Sequence, residues 1–152
     1  MKHIKPDRYG LNTYIFPVYV LFIAYVSLSP FTGWRIPESA VFHFLTVWPR
    51  YITRFVVLFN ILAYLPLGFL ATLSLRRLRG GTLILAATGV GAAVSLGMET
   101  LQVFVPGRIA SIPDLLTNTA GSLAGATLAH SLGSRSHLMQ KFVHGGLYDR
   151  DV

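Results

Sequence analysis

Four apolar stretches leave this chain little choice of fold, because each approaches or exceeds the roughly 17–25 residues that carry a helix across a bilayer. They run from about Tyr14 to Ser29, Phe55 to Leu75, Thr82 to Val105 and Pro113 to Leu132. Backbone polar groups in lipid must bond within their own segment, so such stretches become helices. Charged residues make up 12% of the 152, about half the share found in soluble domains. The expected fold is therefore all-α: an integral membrane protein with four transmembrane helices in one domain over 14–132. A basic tail at 1–13 and a second tail at 133–152 flank it. The chain has no cysteine, which removes disulfides, thiol catalysis and thiolate metal sites.

The distribution of Lys and Arg sets the direction of the spans. Lys2, Lys5, Arg8, Arg76, Arg77, Arg79, Arg135, Lys141 and Arg150 fall on one side, and Arg35, Arg50, Arg54 and Arg108 on the other. The richer side is expected in the cytoplasm, which places both termini inside. The net charge of +7 is then a matter of topology and of anionic lipid headgroups, not of nucleic acid. Val26-Ser27-Leu28-Ser29-Pro30 closes the first span without a small-x-small cleavage site, as in an uncleaved signal anchor. The first loop interleaves Trp34, Phe42, Phe44, Trp48 and Tyr51 with Arg35, Glu38, His43 and Arg50. That pattern suits a segment lying on the outer leaflet, with a short helix from Glu38 to Val47. The tail after Gly133 reads as a loose, basic, surface-associated piece. Its His137 and His144 are too sparse for a metal site, and no cofactor is called for.

With this direction, polar residues from separate segments meet in the outer half of the bundle. Asn60 lies near the start of the second span, Glu99 and Gln102 near the end of the third, Arg108 in the short outer loop. Asp114 and Asn118 open the fourth. Ionisable groups at membrane depth cost several kcal/mol unless paired or wetted, so they mark candidate sites. Glu99 and Gln102 share a face. Asp114, Asn118, Gly121 and Gly125 form one stripe, polar at the outer end and glycine-lined below, where another helix can approach closely. Each residue also has a structural role open to it. Asp114 and Ser111 suit a helix N-terminus that Pro113 enters. Asn60 suits interhelical glue, and Arg108 an interfacial charge or a partner for Glu99. Pro66 and Gly68 suit a kink with wet backbone in the second span.

The order of these residues resembles the VanZ-like membrane protein family. The likeness rests on Asn60-Ile-Leu-Ala-Tyr-Leu-Pro66-Leu-Gly68, Glu99-Thr-Leu-Gln102, Gly107-Arg108 with Ser111 and Asp114, and Asn118 followed by Gly121 and Gly125. It covers roughly residues 55–128 and implies a protein of the bacterial inner membrane. The family name implies a link to resistance against teicoplanin, a lipid-bearing glycopeptide.

Three functions compete on the sequence. The first is non-enzymatic binding of an amphiphile, an anionic or polyprenyl-linked membrane lipid, from the outer leaflet. Arg108 would meet its headgroup, Glu99, Gln102, Asn60 and Asn118 its polar groups, and the glycine stripe would leave room for its chain. The second is an intramembrane enzyme acting on a lipid-linked substrate, with Glu99 and Asp114 as acid and base and His43 joining from the first loop. The third is a small proton-coupled transporter. Self-association through Gly121 and Gly125 is compatible with any of them.

Overall fold

A computed structural model describes residues 12–75 and 77–145, with side chains over 14–75 and 77–134. Lys2, Lys5, Arg8, Arg76 and Arg150, and the side chains of Arg135, His137, Lys141 and His144, lie outside the described residues. Four α-helices make up the fold: α1 (Asn12–Leu28), α2 (Arg54–Ser74), α3 (Gly80–Gln102) and α4 (Ile112–Gly145). α2 and α3 are long and apolar enough to cross a membrane, while α1 is a shorter apolar helix. α4 is less apolar because the faces it turns toward α2 and α3 carry its polar and small residues. It packs most extensively on α2 and next on α3, and α1 lies against α2 and α3.

Small residues set how closely the helices approach. A Cβ added to Gly121 or Gly125 would land on the backbone of α2, at the carbonyls of Ile61 and Leu65. Ser122, fully buried, fills the space left by Gly68 of α2 and Gly91 of α3. Farther along, Ala71, Ala87 and Ala126 close the same three-helix seam. A second core cluster of Ile23, Tyr64 and Leu67 joins α1 to α2, where the Tyr19 hydroxyl donates to the Ala63 carbonyl at 2.9 Å.

The interior mixes apolar and polar side chains, and large apolar side chains cover the outside. Thr72, Ser95, Glu99, Ser111, Asn118 and Ser122 are buried, whereas Leu21, Phe22, Phe55, Phe59, Leu85 and Leu123 are exposed. Scattered exposed apolar side chains are ordinary in soluble proteins, but apolar faces on every helix are not.

Two local expectations are corrected. The segment Glu38–Val47 holds a single 3-10 turn, His43–Leu45, where a short helix was expected. The Thr46 hydroxyl donates back to the His43 carbonyl at 2.7 Å and closes the turn instead of letting it propagate. The chain after Gly133 is not a loose piece at its start, since α4 continues to Gly145. One glycine costs a helix only about 1 kcal/mol and no proline follows to stop it. α2 runs on through Pro66 as one continuous helix.

Candidate functional site

Both longer loops, 29–53 and 103–111, lie at one end of the bundle, tied by the Arg35 amide donating to the Phe104 carbonyl at 3.0 Å. The second loop turns at Val105-Pro106-Gly107-Arg108, where the Arg108 amide returns to the Val105 carbonyl at 3.2 Å. Gly107 has a φ of 80°. Proline followed by a positive-φ glycine is the signature of a type II turn.

The turn delivers the chain to the start of α4, and the polar residues follow from its capping. The Ser111 hydroxyl accepts the Asp114 amide at 3.3 Å, half of a capping box. The other half is supplied from outside the helix. Glu99 of α3 accepts the Ser111 amide at 2.8 Å, so the Asp114 carboxylate is free to look across to α2. There it accepts from Asn60 Nδ2 at 2.8 Å, and the same amide donates to Thr117 Oγ1 at 3.3 Å. One turn deeper, Asn118 Nδ2 donates to Ser95 Oγ at 2.9 Å. Asn60, Glu99, Asp114 and Asn118 thus share one polar seam between α2, α3 and α4, with Glu99 only 2% exposed.

Gln102 and Arg108 go elsewhere. Arg108 does not pair with Glu99. Its guanidinium donates to the Ser29 carbonyl at 2.8 and 3.1 Å and to the Val26 carbonyl at 2.9 Å. Gln102 Nε2 donates to the Ser27 carbonyl at 3.1 Å. Val26 and Ser27 are among the last residues of α1 and Ser29 follows it directly; carbonyls at a helix C-terminus lack a partner within the helix and favour a nearby cation. Both side chains therefore clamp the end of α1 to the rest of the bundle. Arg108→Ala is expected to lower the melting temperature by roughly 4 °C through loss of this clamp, about 1–2 kcal/mol after allowance for its exposure. Gln102→Ala should lower it by less. A melt of Arg108→Ala indistinguishable from wild type would show that the clamp carries no stability.

The glycine stripe is also corrected. Gly121 and Gly125 are covered by the α2 backbone, so they leave no groove for a lipid chain. The open volume lies between the two loops instead. It is a cavity of about 580 Å³ whose wall includes Arg35, Glu38, His43, Phe44, Arg108 and Ser111. Trp34, Phe42, Trp48 and Tyr51 of the same loop are exposed. Sequence reasoning did not single out Arg35, Tyr64, Ser95 or Thr117 as site residues. Ser95 was open to detection, since it stands one helical turn before Glu99 on the same face. Arg35 had no such signal, because its place on the cavity wall depends on how the loop folds. Among the described residues no three His, Cys, Asp or Glu side chains come together as a metal set would require.

No curated protein and no solved structure matches the chain. The family model described as VanZ/LLP1 matches residues 12–133, which takes in all of α1, α2 and α3, both loops of the cavity and the buried polar seam. With most of its length and every element of the site inside that match, the chain belongs to the VanZ/LLP1 family.

Proposed function

We propose that this VanZ/LLP1 protein is a multi-pass protein of the bacterial cytoplasmic membrane, and that its inter-loop cavity binds the anionic headgroup of an amphiphile or lipid-linked envelope component. In this proposal all four helices span, the membrane domain covers 14–132, both termini are cytoplasmic and the cavity faces outward. The outward apolar faces of the helices, and the excess of Lys and Arg in the sequence of the two tails and the α2–α3 connection, support that placement. The observation that carries the function is the cavity wall itself, which sets two arginines and a histidine against one glutamate. Guanidinium groups match phosphate and carboxylate oxygens in bidentate geometry; Arg35 supplies that fork, and Arg108, engaged with the end of α1, adds its positive charge to the wall. The exposed aromatic side chains of the first loop suit the depth at which a lipid headgroup lies.

Binding without turnover fits better than catalysis. Glu99 and Asp114, the acid and base candidates, are absent from the cavity wall and are engaged by Ser111 and Asn60. The test is mass spectrometry of lipids that co-purify with wild type, Arg35→Ala and Arg108→Ala. Arg35 is the cleaner probe, because it ties the two loops through its main-chain amide, which alanine retains. A discrete anionic or polyprenyl lipid is expected with wild type and reduced about tenfold with Arg35→Ala, as loss of one charged hydrogen bond predicts. The same bulk lipids at the same level in all three proteins would overturn the proposal. Teicoplanin, the amphiphile attached to the family's name, enters the same test: cells relying on Arg35→Ala should lose whatever protection wild type gives.

A further inference from the structure

Beneath the cavity, four oxygen-bearing side chains are almost sealed from solvent: Tyr64 (4% exposed), Ser95 (0%), Glu99 (2%) and Asn118 (5%). Asn118 and Ser95 are joined through the amide nitrogen, and the Tyr64 hydroxyl faces Ser95 and Glu99. Two atoms of this group, Tyr64 OH and Asn118 Oδ1, are buried with no hydrogen-bond partner of ordinary geometry. Buried polar atoms are nearly always satisfied, so each orphan calls for an occupant. The charge calls for one too. Glu99 accepts a single amide bond, from Ser111. Its charged neighbour, Asp114, has the same sign. Arg108, the nearest arginine in sequence, is committed to the end of α1.

We infer that Tyr64, Ser95, Glu99 and Asn118 form a binding site for one monovalent cation, entered from the cavity past Ser111. The donor set is all oxygen, which suits a hard ion rather than a transition metal. One carboxylate in the set matches one positive charge, and a buried carboxylate left without a counter-charge is costly. Ser111 connects the two compartments, since it lines the cavity while its amide holds Glu99. The inference does not depend on what the cavity binds. A proton on Glu99 is the competing source of the same charge, with Tyr64 on α2 and Asp114 on α4 as the titratable groups facing it.

The test uses the full-length protein in detergent. Bound ²²Na⁺ is counted, and melting is followed in sodium chloride and in N-methylglucamine chloride at equal ionic strength. Wild type should bind one Na⁺ per chain and melt on the order of 5 °C higher in saturating sodium, by mass action. Glu99→Gln should lose both effects. Tyr64→Phe, which removes one oxygen and keeps the ring, should weaken Na⁺ binding about tenfold and decides the matter if Glu99→Gln does not fold. Wild-type melting that ignores sodium would overturn the inference, including the case where it responds to pH alone and the charge is a proton. A sodium effect unchanged in both variants would overturn it as well.

Discussion

Gly125→Ala is expected to lower the melting temperature by roughly 6–12 °C. The added Cβ would land on the Leu65 carbonyl oxygen and lie 2.9 Å from the Phe69 amide nitrogen. Both atoms belong to the α2 backbone, which cannot rotate aside as a side chain does. α2 and α4 must therefore separate along the seam that holds most of the bundle together. Overpacking of this kind costs about 3 kcal/mol, and a domain of this size loses roughly 2–4 °C for each kcal/mol. Gly89→Ala is the control. Nothing lies within 4 Å of its Cβ position, so the helix should gain about 0.5–1 kcal/mol from the better helix former. Melting curves of the two variants beside wild type decide the point. Equal shifts in the same direction would mean that α2 and α4 do not meet at Gly125.

Asn60→Ala should be the most damaging loss of a polar side chain. It strips Asp114 of the amide that crosses from α2 and leaves a half-buried carboxylate facing an apolar helix. Removing one partner of a hydrogen bond to a charged group costs about 1.5–3 kcal/mol, and more when the survivor is shielded from water. The double variant Asn60→Ala/Asp114→Ala separates this from simple loss of packing. It should cost clearly less than the sum of the two single changes, with a coupling energy of about 1–2 kcal/mol. Additive losses would show that the two side chains do not interact.

The two predictions concern two kinds of contact that the sequence announced unequally. Glycines spaced by four on an otherwise apolar helix already mark a surface for close approach. The partner of that surface was open, because a lipid chain, a second copy of the protein and α2 all fit a strip of small residues. Asn60, Glu99, Asp114 and Asn118 were legible as a group from alternating helix direction alone, since helix ends at one end of a bundle bring their residues to one level. Arg108 and Gln102 were grouped with them on the same grounds. Depth in a bundle fixes one coordinate of a side chain and leaves its bearing around the helix axis to packing. Packing turned these two toward the carbonyls of α1.

The sequence by itself determined that the chain is helical, which stretches become the helices, and at which end their polar residues collect. Those properties follow from hydropathy, helical period and alternation of direction, and each is local to a span or to its two flanks. Tertiary structure alone decided that Glu99 caps α4 in place of Asp114, that Asp114 thereby meets Asn60, and that the open volume lies between the loops and not along the glycines. The first two depend on which carboxylate packs within reach of a given amide donor, and the third on how closely α2 and α4 approach. That is settled by three helices packing at once, and no single segment carries the information.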